Sequence, residues 1–443
     1  MGLKNLLRIL IILFEGWLEI YGTNVNQFNM EASYCNMGEN ITGKEGAALP
    51  GYSLLQAHVF MSPGLTDMRG HFGKQGQRLP PLLCDLDPSS HNVLSWIQEQ
   101  LKISIRAHVQ HGRSHPEFQK YIPNFNLNCS TQDLSMVGFE QLAGIGQHLR
   151  RAYLDRIAHK ALKAWHSSVY LESVISRPAF HSVLGLVQGL LPMQQTHKLK
   201  IRTATYNFCN THEMNLSTCV CEELFQTAPF ISQALNTGRY AFKHSSPDKG
   251  AIESFYNISL QTEVSTLQLV KLILQYKCAN VSVNCDSSIC SIFKENNIGV
   301  VLNLAKQHTE RFLENPIYPN VAKLSTYPYL QRMVSRASRI QNQSMFVTMG
   351  NQHFLHYLVT SLGVHSHSIL PLASRLVIEI YKKNDGKLLG SPLFFKVLMN
   401  GKDVTPDIPE CLPHHRQTSL CSLHILVSMV THTREHYLAR CSR

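Results

Sequence analysis

Three local patterns in this sequence have residue types and spacing that could do chemistry. Asp85-Leu86-Asp87-Pro88-Ser89 imitates the paired aspartates of a hydrolase that works through an aspartyl-phosphate. That chemistry needs the pair at the end of a buried strand, where one carboxylate attacks and the other handles the proton. Pro80-Pro81 precedes the pair, so no strand is expected to present it. His432-Thr433-Arg434-Glu435-His436 fits the inverted zinc pattern HxxEH, which sets two histidines on one helical face. Only seven residues follow it, with no acidic ligand among them, so a solvated helix is the expected reading. Cys411-Leu412-Pro413-His414-His415-Arg416 imitates a cysteine phosphatase loop. It is one residue short, and Pro413 with two histidines replaces the glycine-rich cradle. A disulfide with nearby Cys421 is the simpler use of Cys411. GxSxG, the Walker loop and GxGxxG are all absent, which leaves serine hydrolase and nucleotide-binding readings without support. No metal site and no cofactor are expected.

The elements that would have to position a site belong to a sizeable folded chain. Its 443 residues are 44% hydrophobic and 16% charged, which excludes a disordered polypeptide. No apolar run approaches the ~18 to 20 residues of a bilayer-spanning helix. Lys plus Arg number 41 against 30 for Asp plus Glu, a net charge of +11, which suits an acidic partner. Arginine-rich arms and zinc finger spacings are absent, so no nucleic acid is expected. The 23 histidines add positive charge as pH falls.

Met1 to Phe14 is a basic start followed by a short apolar stretch, which reads as a signal peptide or short signal-anchor over 1–22. The twelve cysteines are Cys35, Cys84, Cys129, Cys209, Cys219, Cys221, Cys278, Cys285, Cys290, Cys411, Cys421 and Cys441. Sequons begin at Asn40, Asn128, Asn215, Asn257, Asn280 and Asn342. Even cysteines with several sequons point to an oxidising compartment, with disulfides of open pairing and glycans on the surface. Cys219-Val220-Cys221 is too tight for a zinc knuckle. Secretion and residence in the Golgi lumen or membrane are both open, with any membrane contact limited to the N-terminal segment.

Residues 23–53 read as a polar lead-in, and 54–443 as the main domain. Leu54 to Met61 is apolar enough for a buried strand, ending at Ser62-Pro63-Gly64. Ser135 is a predicted N-cap, followed at helical spacing by Met136, Phe139, Leu142, Ile145 and Leu149. Helices are predicted around 178–190, 264–276 and 325–342. A strand is predicted over Met345–Met349, and a helix from His353 to Leu362, closed by Gly363. Two alternating strands, Ser374–Tyr381 and Leu393–Met399, are joined through Asn384-Asp385-Gly386. The mixture predicts an α/β fold.

Several stretches together resemble the histidine acid phosphatases, and within them the 2-phosphoxylose phosphatase branch. They are Tyr34-Cys35-Asn36, His58-Val59-Phe60-Met61, and Leu134-Ser135-Met136-Val137-Gly138 with Gln141. Further along are Tyr170-Leu171-Glu172, Cys278-Ala279-Asn280-Val281-Ser282 with Cys285 and Cys290, and Pro371, Ala373, Arg375-Leu376 and Glu379. Asn400 to Thr405, Cys411 and His414-His415 complete the likeness, which spans roughly residues 34 to 441. It implies the phosphoglycerate mutase-like fold: a mixed sheet flanked by helices, with a mostly helical inserted cap.

The resemblance also implies a chemistry. In that family a histidine attacks phosphorus, arginines and a second histidine hold the phosphoryl oxygens, and an aspartate protonates the leaving alcohol. Here the Arg-His-Gly signature falls on Ser62, Pro63 and Gly64, and its following arginine near Thr66. The second arginine falls on Pro178, one place after Arg177, and the His-Asp pair falls on Asn351 and Gln352. Proline offers no nucleophile, and amides supply no acidic proton. A register slip recruiting Arg69, His71, Arg177, His353 or His356 would not restore the whole set. An inactive family member that binds a glycan, a phosphorylated sugar or a secretory-pathway protein is therefore expected. The alternative is an active acid phosphatase that removes the 2-phosphate from xylose in the proteoglycan linkage region.

Overall fold

The computed structural model describes residues 34–37, 41–72, 79–82, 84, 116–121, 129–155, 165–192, 199–204, 221, 223–224, 266–283, 293, 306, 309–310, 313–339, 344–364, 370–384, 392–412 and 420–441. The segment 1–22, the Asp85–Ser89 motif and His414-His415 lie outside them.

The strands are β1 (Tyr52–Met61), β2 (Val169–Ser173), β3 (Ile201–Thr203), β4 (Met345–Met349), β5 (Arg375–Lys383), β6 (Leu393–Met399), β7 (Lys402–Asp403) and β8 (Cys421–Ser422). They form one sheet in the order β3-β2-β4-β1-β5-β6-β7, with β8 also on β6. β3, β2, β4 and β1 run parallel, whereas β5 and β6 continue antiparallel from β1. The sheet is mixed, as the resemblance implied. β1 starts two residues before the apolar run, because its first half is only partly buried and pairs at the edge with β5.

The main helices are α1 (Met136–Leu149), α2 (Arg177–Leu190), α3 (Thr266–Cys278), α4 (Tyr318–Ala337), α5 (Gln352–Ser361) and α6 (Leu423–Cys441). Strand periodicity sends alternate residues to opposite layers. Val59, Met61, Leu171 and Val347 face a core shared with α1 and α2. Phe60, Ile378, Ile380 and Phe395 face a second core shared with α4, α5 and α6. A smaller core off the sheet gathers Leu65, Phe72, Leu82 and the apolar side of α3.

Ser135 caps α1 by accepting a hydrogen bond from the Gly138 N–H at 3.2 Å. α4 begins seven residues before the predicted helix. Pro319 fits its first turn, and Val321, Ala322 and Leu324 pack on Cys221, Cys441 and Tyr357. Disulfides join Cys35–Cys278, Cys84–Cys129, Cys221–Cys441 and Cys411–Cys421. The last is the pairing expected for Cys411. Cys209, Cys219, Cys285 and Cys290 lie outside the described residues. His432, Arg434 and Glu435 are exposed on α6, consistent with a solvated helix.

Candidate functional site

The register aligns the carboxyl ends of three parallel strands. Met61 and Ser173 both pair with Met349. Ser62-Pro63-Gly64, Gly350-Asn351-Gln352 and the segment leading to Pro178 therefore emerge side by side. Parallel α/β sheets bind ligands outside such strand ends. Positions far apart in sequence thus share one mouth.

Each of these residues is tied into the scaffold. Ser62 is buried, and its N–H donates to the Ser374 carbonyl at 2.9 Å, with its hydroxyl 3.4 Å from the same oxygen. The Pro63 carbonyl accepts from the Ala373 N–H at 2.9 Å. Ala373 has a left-handed φ of 49°, and Asn36 Nδ2 holds that turn by donating to the Leu372 and Ala373 carbonyls. At Gly64 a Cβ would lie 2.5 Å from a Leu142 methyl and 2.9 Å from the Gly138 carbonyl. The glycine is explained by the packing of α1, whatever the site does. The Gly64 N–H donates to Ser182 Oγ at 3.2 Å, and the Leu65 N–H to Gln141 Oε1 at 2.9 Å. Thr66 forms a bridge with Leu134.

The amides are likewise engaged. Asn351 is the N-cap of α5, and its Oδ1 accepts from the Phe354 N–H at 2.8 Å. Gln352 Nε2 donates to the Leu370 carbonyl at 2.5 Å. Pro178 sits in the first turn of α2, where its missing N–H costs little. Arg177 opens that helix and does not lie on a strand, so the relevant offset from Pro178 is a helical rotation and not a change of sheet face.

Candidate cations at the mouth already have anionic partners. Arg69 forms a 2.6 Å ion pair with the fully buried Asp67 and donates to the Cys129 carbonyl at 2.9 Å. Arg177 pairs with Asp133 at 3.2 Å. The nearby histidines are held neutral. Burial pushes His181 down to about 4, against the Tyr121 carbonyl and Asp133, which pull it up. Burial, with Lys271 of α3 adding to it, pushes His356 down to about 4. His353 is half-buried in the first turn of α5. The side chain of His71 lies outside the described residues. Among the described residues, no group of three or more His, Cys, Asp or Glu could hold a metal ion.

The sequence reading missed Asp67 and Asp133, the buried carboxylates that engage Arg69 and Arg177. Their only sequence signal was short spacing to other polar residues. Of the sequon asparagines, Asn280 is described: it is exposed, with φ at 52°, just after α3. Asn40, Asn128, Asn215, Asn257 and Asn342 lie outside the described residues.

No family model matches the chain. The chain is 24% identical over 439 residues to 2-phosphoxylose phosphatase 1 of Danio rerio, covering 90% of this chain and 82% of the relative. Among solved structures, a Hafnia alvei phytase in complex with tartrate superposes with a TM-score of 0.54 at 11% identity. That match covers 87% of this chain and 98% of the phytase. The phytase of D. castellii gives a TM-score of 0.52 at 9% identity, over 93% of this chain and 87% of that one. The chain is thus similar in sequence to 2-phosphoxylose phosphatase 1 and has the fold of the histidine acid phosphatases.

Proposed function

We propose that this phosphatase-family protein is a lumenal or secreted glycoprotein that binds and does not hydrolyse. Its partner would be a glycan, a phosphorylated sugar or a protein of the secretory pathway. One correspondence carries the reading: by the resemblance, Ser62, Pro63, Pro178, Asn351 and Gln352 fall where the family chemistry needs a phosphate clamp, a nucleophile and an acid. Phosphoryl transfer spreads negative charge over equatorial oxygens, so catalysis depends on fixed cations there. Arg69 and Arg177 are already paired with Asp67 and Asp133, which supports the reading. Losing an acid–base group typically costs on the order of 10² to 10⁴ in rate. Losing the nucleophile removes the covalent route itself. The four disulfides among the described residues and the exposed sequon at Asn280 support an oxidising compartment, the Golgi lumen or the exterior.

The second reading is an active phosphatase acting on 2-phosphoxylose. The observation that favours it is His356, a neutral imidazole with Lys271 near it. Hydrolysis of p-nitrophenyl phosphate by the purified, glycosylated protein between pH 4 and 7 separates the two. No turnover above a buffer control is expected. Turnover that survives repurification and disappears in His356→Ala or Arg177→Ala would overturn the proposal.

A further inference from the structure

On the sheet face opposite α1 and α2, three aromatic rings lie in register across β1, β4 and β2. His58 stacks on Phe346 with centroids 4.7 Å apart and planes 9° from parallel. Tyr170 lies 6.0 Å from Phe346. His58 and Tyr170 each pair directly with Phe346 in the strand ladder. Two guanidinium groups from different elements cover this row. Arg336 of α4 sits 4.2 Å from the Tyr170 ring centre and 4.8 Å from that of Phe346. Arg202 of the edge strand β3 sits 4.6 Å from Tyr170. Arg339, just past α4, and Lys200, just before β3, are exposed beside them.

Among the described residues, neither Arg202 nor Arg336 makes an ion pair. Among the described acids, Glu172 is the cross-strand partner of Arg202; it is fully buried and bonded to Arg332 and Thr348. Neither guanidinium is therefore tied to a described carboxylate. Burial first, and then Arg336 and Arg332, push His58 down to about 3.

A guanidinium lying on a ring uses its face there and keeps its N–H donors at its edge. The rings thus hold both guanidinium groups in place over the row. Tyr170, Arg202 and Arg336 are only half-buried, so each keeps part of its surface in solvent. Fixed, planar forks suit oxyanions, which they bind bidentately.

We propose that Arg202 and Arg336, mounted on the Tyr170–Phe346 row, form with the exposed Arg339 a binding strip for a sulfated polysaccharide. An open strip along a sheet edge and a helix end fits a linear chain with repeated anions better than a single small ion. The choice of polysaccharide over other polyanions rests on the lumenal reading above. The strip is separate from the strand-end mouth, so it stands or falls independently of whether that mouth hydrolyses phosphate.

The test uses the full glycosylated chain and immobilised heparin, with binding measured across a salt series. Arg202→Gln/Arg336→Gln/Arg339→Gln should bind about tenfold more weakly and show a shallower salt dependence. A charge-matched control, Lys277→Gln/Lys402→Gln/Arg434→Gln, should stay within about twofold of the native protein. Arg202→Lys/Arg336→Lys keeps the charge and loses the planar fork, so it should recover only part of the affinity. Thermal unfolding of every variant identifies any that are misfolded, and Arg339→Gln alone, on an exposed residue, then carries the comparison with its control. Equal losses in the strip variant and the control would overturn the proposal, as would full recovery by the lysine pair. Binding to phosphatidylserine vesicles but not to heparin would also overturn it, by pointing to a membrane surface.

Discussion

Asn351 distinguishes a structural from a chemical use of the strand-end mouth. It holds an extended conformation, φ −113° and ψ 164°, and its side-chain oxygen takes the Phe354 N–H at 2.8 Å. That N–H is one of the amides a helix cannot satisfy within its own first turn. α5 has ten residues and buries Phe354, Leu355 and Leu358, so its first turn must form for the core to close. Asn351→Ala removes the acceptor and should cost about 1 kcal/mol, in a range of about 0.5 to 2. Asn351→His, which restores the residue type the family resemblance implies, should cost a similar amount. Asn351→Asp keeps an acceptor and adds a negative charge at the positive end of the helix, so it should be neutral or stabilising by a few tenths of a kcal/mol. Amide hydrogen exchange at Phe354 reads this directly. A loss of 1 kcal/mol raises the opening equilibrium about fivefold, and urea unfolding should shift in the same order across the three variants. If Asn351→Ala exchanges and unfolds like the native protein but loses binding to a phosphomonoester, the residue is a ligand contact and the capping argument is refuted.

Further outcomes follow from the buried charges and bridges. Arg375 donates from Nε to Glu45 Oε1 at 2.7 Å, and both side chains are buried; Arg375→Met should destabilise by about 3 to 5 kcal/mol, while Glu45→Gln/Arg375→Met should recover much of that in chemical denaturation. Burial opposes ionisation of Glu45, yet His148 and Arg375 hold its carboxyl below the usual value. Its contribution is therefore present above the unfolded carboxylate range and lost as pH falls through the lowered value. His58 and His181 titrate at about 3 and about 4 in the folded chain. The unfolded chain takes up their protons first, so stability should fall from about pH 6.5 downward, by up to about 1.4 kcal/mol per unit for each histidine. His58→Phe, which keeps a ring against Phe346, should flatten that slope in thermal melts taken across pH 4 to 7. Cys35→Ser/Cys278→Ser opens a bridge between the N-terminal segment and α3, 243 residues apart; it should cost about 2 to 5 kcal/mol, and an unchanged melting temperature would contradict a structural role.

Much of the fold was legible because its signals are local. The apolar run of β1, the Ser135 cap, the Gly363 stop and the β5–β6 pair follow from side-chain size, polarity and backbone freedom within a few residues. The sequence also carried the resemblance that sets Pro63, Pro178, Asn351 and Gln352 against the family's chemical groups, an expectation that rests on residue type. The fold decided what those replacements do. Asn351 as a cap, Gln352 on the Leu370 carbonyl, and Asp67 and Asp133 holding Arg69 and Arg177 all depend on partners brought together by strand register and loop paths. The same holds for the Arg202–Tyr170–Arg336 row, whose members come from three elements and show no pattern in the chain. Local chemistry fixes which groups exist, but long-range packing fixes which of them remain open to a partner.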